Sequence, residues 1–525
     1  MDTATGRLLP AVPETPLEAY KVGFNKHDDP YNPMCWPMKK KIYTASILIL
    51  LNFVAILGSA IISPGSSEVS KDFHVGSVVS TLACVSLFVL GIAAGPIVYG
   101  PMSEVLGRKI PFILSTFLFT CFAFASATAK DFQTFTLCRF FMGTSAACIV
   151  TLVPATIGDI FPPHSRGKIL SVSVGAFMSG PMIGPIMGGY ISYSYLRWRW
   201  TMYLSGIVSA FSLVLLVLYY EESYAPVVLG RKAEKLRQET GVWPLFAPLE
   251  RQKFSFKTIL RKVLVKPIYL LVFEPILLLI SIYMGFVYGI MYLCLSAVPV
   301  VFSDYGWHGG NVYLPYIGML VGNYLITFIN IVVFDPFYYR GLRARNIKIW
   351  PEGRLPAMIN TSVTFPIGIF LFCWSGAYHV HWIVPSIGLA FIGMGITGMF
   401  MSGFNYVVET FLPVSASATA ANTILRSAMG CAFPLFAAIM FHNLGTQWAG
   451  TLLGCLAIFL APVPITFYIF GEKIRSLSRH TVKLDDYEEA PLENDYEDTK
   501  DREEKQRVEN EIEEGQGSGK ELQTY

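Results

Sequence analysis

Apolar stretches of about twenty residues, separated by shorter polar connections, repeat along the chain from residue 42 to residue 470. A helix of roughly 20 apolar residues is long enough to cross the ~30 Å hydrocarbon core of a bilayer. The pattern therefore predicts an all-α membrane protein with twelve transmembrane helices. The seventh and tenth stretches exceed this length, which predicts tilt or extension beyond the bilayer. The predicted spans are 42–63, 77–99, 110–129, 133–157, 168–191, 199–220, 269–300, 312–335, 355–375, 382–408, 414–440 and 448–470.

Lysine and arginine distinguish the two sides of the predicted membrane. Basic clusters occupy every second connection, whereas the intervening connections hold only Lys71, Lys130, Arg197 and Arg199. Cytoplasmic connections of membrane proteins are enriched in Lys and Arg, so both termini and the central connection are predicted to be cytoplasmic. The basic clusters are Lys39–Lys41, Arg108–Lys109, Arg166–Lys168, 231–266, Arg340–Lys348 with Arg354, and Lys473–Arg479.

A long basic connection divides the predicted spans six and six. Two related halves are typical of a transporter that rocks about a site at their interface. The tail beyond Leu484 is acidic and poor in apolar residues, which predicts disorder. The predicted divisions are a cytoplasmic N-terminal tail (1–40), a six-helix half (41–220), a cytoplasmic central loop (221–266), a second six-helix half (267–471) and an acidic cytoplasmic tail (472–525).

Composition and motifs exclude several classes of protein. The chain is 53% hydrophobic and 15% charged, as membrane proteins are. Its nine cysteines lack metal-ligand spacing and lie mostly in apolar runs, so we expect neither a metal site nor a disulfide framework. No GxxxxGK[ST], HExxH or GxSxG motif occurs, so we expect no cofactor and no enzymatic activity. Residues 1–38 lack an apolar signal core, so the first span is expected to target the chain.

The connection between the second and third spans, Gly95–Lys109, is punctuated by glycine and proline and carries charge. Proline fixes φ and glycine permits positive φ, so this segment, with Gly107 near its end, is predicted to act as a fixed hinge. Glu104 and Arg108 are four residues apart and would pair on one helical turn.

The fifth span contains an unusual density of glycine and proline. Glycines four residues apart allow close approach to a neighbouring helix, and the prolines are expected to bend the helix of the fifth span. Ordinary packing between membrane helices is the alternative explanation. The residues concerned are Gly175, Gly180, Pro181, Gly184, Pro185, Gly188 and Gly189.

Three charged residues stand inside or beside the predicted spans. A cation in hydrocarbon is costly unless it faces water or a partner, so Arg139 in the fourth span is a functional candidate that should face a central cavity, with a structural pair as the alternative. Arg426 in the eleventh span could pair with Glu409 or simply stabilise the second half, and we favour the structural role. Glu274, followed by Pro275, is a candidate proton carrier or a carboxylate that snorkels to the surface.

Two pairs of charged residues flank connections that are predicted to lie on the cytoplasmic side of the membrane. Asp159 and Arg166 flank the connection between the fourth and fifth spans, and Asp335 and Arg340 flank the one between the eighth and ninth. We expect charge clusters there.

Polar and aromatic residues inside spans are candidates for the substrate path, with helix packing as the alternative for each. They are Asn52, Tyr283, Tyr288, Tyr292, Asn323, Asn330, Asn405 and Tyr406.

The hinge segment resembles the loop motif between the second and third spans of the major facilitator superfamily. Gly100, Glu104, Gly107, Arg108 and Lys109 fall on its Gly, acidic, Gly, Arg and basic positions. Glu stands where many members have Asp, and the residue after it is Val where many have Arg. The resemblance implies a major facilitator fold, and charge clusters that hold the inner side closed in the outward-open state.

Further motifs resemble the fungal twelve-span drug:proton antiporters within this superfamily. The doubled Gly-Pro pattern of the fifth span matches that of antiporters, and Arg139 with Gly143 matches a motif associated with proton coupling. The entry sequence NPMCWP, the segment Pro351–Leu355 and the run SASATAANTILRSAMGCAFPLF are also similar. The likeness covers about residues 30–480.

The resemblance implies proton-coupled export of amphipathic small molecules such as drugs, toxins or a secondary metabolite across the plasma membrane. The expected partners are the small-molecule substrate, protons and the lipid bilayer, without nucleic acid, and the protein is expected to be a monomer. Import or facilitated passage of polyamines or other nutrients is the alternative within transport. A sensor or scaffold with a transporter-like fold is the alternative of another class.

Overall fold

The computed structural model describes residues 20–24, 29–251, 265–345, 350–478 and 481. The predicted acidic tail therefore lies almost wholly outside the described residues. The first half of the chain forms six long helices, and the second of them includes a π-helical turn at Leu82–Ser86. The helices are Met38–Ala60, Ser77–Leu106, Lys109–Thr128, Phe132–Ile160, Pro163–Ser192 and Arg199–Tyr219.

The second half follows the same plan with two irregularities. Its eighth span is a helix, Tyr316–Ile329, that continues through a π-helical segment, Asn330–Phe334, into Asp335–Arg345. Its last two spans share one long helix that bends at Gly445. The remaining bounds are Pro275–Asp304, Leu355–Ala377, Ile383–Thr410, Ser415–Leu460 and Pro462–Leu477.

Eleven helical segments in the described part of the chain are long and apolar enough to cross a membrane. They coincide with the first ten predicted spans and the twelfth. The predicted eleventh span, 414–440, lies in the helix Ser415–Leu460 before its bend. Gly445 has φ +75° and ψ 161°, a conformation that glycine adopts readily, so one residue makes the turn between two spans.

The seventh predicted span is wrong at its start. The apolar run 269–300 is divided at Glu274, which has extended backbone angles between a short helix, Lys266–Phe273, and the span Pro275–Asp304. The physical reason is Pro275, because the residue before a proline is disfavoured in the α region. The start of the run thus belongs to a separate short helix, whereas the span itself ends at Asp304 and is still 30 residues long.

Helix pairing repeats between the halves. In the first half, the first span packs against the fifth and the second against the fourth. In the second half, the seventh packs against the eleventh and the eighth against the tenth. The two halves meet mainly where the fifth span contacts the eighth and where the second contacts the eleventh. The interface between the halves therefore runs through the centre of the bundle.

The two ends of the bundle differ in charge. We call the end that carries Arg108 and Arg354 the basic end, and the other the opposite end. At the opposite end, the backbone N–H of Trp198 donates to Glu68 (3.0 Å) and its indole N–H donates to Asp72 (2.8 Å). The hydroxyl of Tyr190 also donates there to the side-chain oxygen of Asn311 across the halves, at 2.7 Å.

The central connection of the chain packs on the N-terminal segment. A helix, Ala225–Thr240, presents Lys232, whose Nζ lies 2.5 Å from a carboxylate oxygen of Asp29. Backbone bonds join Val22 to Phe246, with N–H to carbonyl at 3.0 Å. The described residues of the predicted N-terminal tail are therefore bonded to the segment that links the two halves.

Candidate functional site: buried arginines at the basic end and the centre

The connection between the second and third spans is shorter than the predicted hinge. The second span continues through Pro96 and Pro101 to Leu106, and the left-handed Gly107 (φ +84°) then turns the chain. Because the helix ends before Arg108, Glu104 and Arg108 do not share a helical turn. Arg108 pairs instead with Asp159 of the fourth span, with Nε 3.1 Å from Oδ2.

Glu222, which follows the sixth span, completes this corner. Its carboxylate accepts hydrogen bonds from the backbone N–H groups of Arg108 (2.9 Å) and Lys109 (3.0 Å). These donors belong to the first turn of the third span and have no partner within the helix. The side chain occupies the space beside Gly107, where an added Cβ would lie 2.4 Å from Glu222 Oε2. Sequence reasoning missed this residue, although an acidic residue directly after an apolar span was a signal.

The corresponding corner of the second half is built around Arg354. Its Nε lies 2.8 Å from Glu409 and its Nη1 lies 3.1 Å from Asp335. The hydroxyl of Tyr338 donates to Glu409 at 3.0 Å. One expectation was wrong here, because Arg340 is exposed and does not join the cluster. Glu409 pairs with Arg354, so the alternative in which Arg426 pairs with Glu409 does not hold. The cation of this corner is instead Arg354, which lies 19 residues from Asp335 and 55 residues from Glu409 and meets both in the folded chain.

A second ion pair fixes the start of the ninth span. Arg475, at the end of the chain's last described helix, donates to Glu352 through Nε (2.7 Å) and Nη2 (3.0 Å). Both side chains are buried. A bidentate, shielded pair of this kind is among the stronger side-chain contacts.

The fifth span joins the first half to the second at the basic end. An added Cβ on Gly167 would lie 2.6 Å from Oδ1 of Asp335, so the two helices approach closely there. Arg166 donates to the carbonyl of Gly158 at 2.8 Å, whereas Asp159 is engaged by Arg108. Asp159 and Arg166 therefore lie in the same corner, but the ion pair of that corner uses Arg108.

The glycines of the fifth span lie against the first span. A Cβ on Gly180 would lie 2.8 Å from the backbone N of Leu57, and one on Gly188 would lie 1.8 Å from the carbonyl oxygen of Ile61. Gly184 makes a similar approach, whereas Gly175 faces Thr327 of the eighth span. Pro181 and Pro185 lie inside the same helix and do not end it.

Arg139 is fully buried at the centre of the first half. Its Nη1 donates to the carbonyl of Gly58 at 2.8 Å, and its Nη2 donates to the carbonyls of Ser59 (3.4 Å) and Cys84. The guanidinium also lies 4.7 Å from the ring centroid of Phe88. Arg139 thus bonds the fourth span to the backbones of the first and second.

Arg426 is buried in the second half with a different environment. Its guanidinium lies 5.8, 5.4 and 5.5 Å from the ring centroids of Phe177, Tyr288 and Phe400. Its Nε is buried without a partner among the described residues. Within that part of the chain, the Arg426 side chain also forms no ion pair.

A pair of tyrosines connects the two arginines across the interface of the halves. Tyr288 and Tyr292 share one face of the seventh span, with their hydroxyl oxygens 3.4 Å apart. The Tyr292 hydroxyl donates to Oγ of Ser59 in the first span at 2.9 Å. Ser59 also offers its carbonyl to Arg139, so hydrogen bonds link Tyr288 to Arg139 by way of Tyr292 and Ser59. The guanidinium of Arg426 meets this chain only through the ring of Tyr288, 5.4 Å from its centroid.

Comparison with known proteins agrees with this architecture. Residues 48–434 match the model of the family described as Major Facilitator Superfamily. The chain belongs to the Major Facilitator Superfamily. It is 41% identical over 472 residues to the "Major facilitator superfamily multidrug transporter FLU1" of Candida albicans, covering 89% of this chain and 77% of that protein.

One further relative and one solved structure extend the comparison. The "Citrinin biosynthesis cluster MFS transporter mrr1" of Monascus ruber is 39% identical over 471 residues, which are 89% of this chain and 94% of that protein. A solved structure of the xylose transporter XylE from E. coli, partially occluded and inward open, aligns with a TM-score of 0.58 at 18% identity. That alignment covers 82% of this chain and 99% of XylE, and it shows the fold alone. As a member of this superfamily, the chain is a multi-pass membrane protein of a family that carries small molecules across membranes.

The other polar candidates of this superfamily member occupy different places. Asn52 donates to Oγ of Ser173 (3.3 Å) within the first half. Asn323 donates to the carbonyl of Gly175 (3.0 Å) and accepts from Thr397 (2.6 Å), so it links the eighth span to the fifth and the tenth. Both are buried.

Two candidates lie towards the basic end rather than the centre. Asn405 lines a small crevice together with Asp335 and Arg354. Glu274 lies before the seventh span and accepts a hydrogen bond from Oγ of Ser478 at 2.6 Å. Among the described residues, no group of three His, Cys, Asp or Glu side chains is placed to hold a metal ion.

Proposed function

We propose that the chain is a proton-coupled antiporter that exports amphipathic small molecules, such as drugs or a secondary metabolite, across the plasma membrane. The observation that carries the proposal is the chain of contacts that joins Arg139 to Arg426, because it crosses the interface between the halves. It consists of hydrogen bonds from Arg139 through Ser59 and Tyr292 to Tyr288, and of the contact between the Tyr288 ring and the Arg426 guanidinium. The names of the relatives in Candida albicans and Monascus ruber support drug or metabolite export.

In this proposal, the halves 41–220 and 267–471 rock about the central path, and the 221–266 connection links them. Both termini and the basic end face the cytoplasm, as the distribution of Lys and Arg favours. The ion pairs of Arg108 with Asp159 and of Arg354 with Asp335 and Glu409 brace the two corners through which the cytoplasmic side opens and closes.

Proton movement supplies the driving force. One proton that enters under a 100 mV potential releases about 2.3 kcal/mol, to which the pH gradient adds. Three carboxylates at the basic end are candidates for this protonation: Asp159, Asp335 and Glu409, each of which pairs with an arginine. Protonation of such a carboxylate weakens its ion pair and thereby favours separation of the helices it joins. Arg139 transmits the change because it holds the first, second and fourth spans together.

The test is efflux of a fluorescent amphipathic dye from cells that express the chain, with and without a protonophore. We expect the protein to accelerate efflux only while the proton gradient is intact, and we expect Arg139→Ala to abolish the acceleration. Cells without the protein are the control. Efflux that is equally fast in those cells, or that persists after the gradient collapses, would contradict the proposal, and uptake of labelled polyamine would then test the import alternative.

A further inference from the structure

The charges inside the membrane-spanning part of this chain are all of one sign. Away from their first and last few residues, the twelve spans contain two charged side chains, Arg139 and Arg426, and no aspartate or glutamate. A cation in the membrane interior is costly unless a partner or water compensates it. The interior of the protein therefore carries a positive charge that no acidic side chain of the spans neutralises.

The two arginines differ in how far the protein satisfies them. Arg139 donates to the backbone carbonyls of Gly58, Ser59 and Cys84, so its terminal nitrogens are engaged. Arg426 forms no hydrogen bond with any described residue, although only 5% of its surface is exposed. Aromatic faces attract a guanidinium but leave its N–H donors without acceptors. Arg426 is thus a buried donor group that is available to a ligand.

The surroundings of Arg426 indicate what kind of ligand fits. A carboxylate, or another planar oxyanion, matches the fork of guanidinium donors with two parallel hydrogen bonds. The rings of Phe177, Tyr288 and Phe400 surround the guanidinium and offer apolar faces to a flat body attached to that acid group. A cationic ligand would meet the charge of Arg426 without an acidic side chain to offset the repulsion.

The site also belongs to both halves. Phe177 lies on the fifth span, in the first half, whereas Tyr288, Phe400 and Arg426 lie in the second. A ligand held at Arg426 therefore contacts the surface that separates when the halves rock. Binding there can favour one arrangement of the halves over another, as a transported substrate must.

We propose that the substrates of this protein are amphipathic organic anions with a flat, conjugated body, and that Arg426 binds their acidic group. This inference rests on the proposed export function and adds the substrate class and the residue that selects it. It also assigns Arg139 and Arg426 separate tasks: Arg139 bonds helices together, and Arg426 binds the ligand.

The first test compares two xanthene dyes of opposite charge: fluorescein, an anion at neutral pH, and tetramethylrhodamine methyl ester, a cation. We expect protein-dependent efflux of fluorescein and little of the cationic dye. Arg426→Gln should reduce fluorescein efflux about tenfold or more, the loss expected when a charge-assisted hydrogen bond is removed, and Arg426→Lys should restore part of it. Arg231→Gln, which removes an exposed arginine from the central connection, is the matched control and should not change efflux. Preferred export of the cationic dye would overturn the proposal.

The second test measures binding and stability on the purified full-length protein. Fluorescence anisotropy should show fluorescein binding that weakens about tenfold or more in Arg426→Gln. Thermal unfolding of that variant should occur at the same or a higher temperature than in the wild type, because the substitution removes a buried charge without a protein partner. A lower unfolding temperature with unchanged fluorescein binding would show a purely structural role and overturn the proposal, as would the absence of fluorescein binding to the wild type.

The two tests separate the failure of this inference from the failure of the proposed function. Protonophore-insensitive transport together with Arg426-dependent fluorescein binding would contradict proton-coupled export and support the anion site. Protonophore-sensitive export of the cationic dye alone would support the export function and overturn the anion site.

Discussion

The two halves hold their buried arginines in opposite ways. In the first half, Arg139 at the centre is bonded to three backbone carbonyls, whereas Arg108 at the basic end has one acidic partner, Asp159. In the second half, Arg354 at the basic end has two acidic partners and Arg426 at the centre has none among the described residues. Helix pairing repeats between the halves, but the distribution of charge does not. The first half is braced at its centre and the second at its end.

The difference indicates that the two halves have different functions. A half that is braced at its end can keep its helices in register while the group at its centre stays available to a ligand. A half that is braced at its centre can loosen at its end, where Asp159 retains 24% of its side-chain exposure. Paired variants, one in each half, test this contrast.

The largest effect is expected at Arg354. Arg354→Ala leaves Asp335 and Glu409 without their cation, and removing one member of a buried ion pair typically costs about 3–5 kcal/mol of stability. Arg108→Ala should cost less, about 1–2 kcal/mol, because its acidic partner is more exposed. Thermal unfolding of the purified variants in one detergent measures both. Equal losses would contradict the contrast between the ends, and adding Asp335→Asn and Glu409→Gln to Arg354→Ala should recover part of the loss.

The next effect is steric and concerns the contacts that pair helices within each half. Gly188→Ala places a Cβ 1.8 Å from the carbonyl oxygen of Ile61, which only a backbone shift can relieve. We expect a loss of about 1–3 kcal/mol, as for other overpacked sites. Gly289→Ala in the second half meets the side chain of Phe433, which can rotate, and should cost less. The yield of folded protein and its unfolding temperature measure the difference, and a greater loss in Gly289→Ala would refute it.

A smaller effect is expected from the Glu222 cap. Glu222→Gln removes the charge and keeps an acceptor for only one of the two N–H groups, because Arg108 and Lys109 donate to different carboxylate oxygens and the amide nitrogen of Gln is a donor. The loss should be about 1–2 kcal/mol. Glu352→Gln in the second half should be more harmful, because it leaves the buried Arg475 without its acid. The same unfolding measurement compares the two. A Glu222→Gln variant that is the less stable of the pair would show that the cap, and not the ion pair, is the stronger brace.

The sequence predicted the spans better than it predicted the site. Length and hydropathy are local properties, so the boundaries of most spans follow from them, and the division at Glu274 could have been read from Pro275. Asp159 lies 51 residues from Arg108, whereas Glu409 and Asp335 lie 55 and 19 residues from Arg354, and such contacts have no local signature. The spacing of Tyr288 and Tyr292 correctly indicated a shared helical face, but their bond to Ser59 depends on how the halves dock.

The smallest effect on stability is expected at that bond. Tyr292→Phe removes the hydroxyl that donates to Ser59 across the halves, and a single hydrogen bond contributes about 0.5–1.5 kcal/mol. Because the bond joins the halves, its loss should lower the population of the arrangement described here by up to about tenfold and leave the unfolding temperature nearly unchanged. Tyr283→Phe, on the same helix, removes a buried hydroxyl with no partner among the described residues and is the matched control. Labelling of a cysteine introduced at Val312, a buried residue beside the bond between Tyr190 and Asn311 at the opposite end, should be faster in Tyr292→Phe than in Tyr283→Phe. Equal labelling rates would show that the tyrosine bond does not hold the two halves together. The contrast between the halves would then depend only on the different surroundings of their central arginines, Arg139 and Arg426.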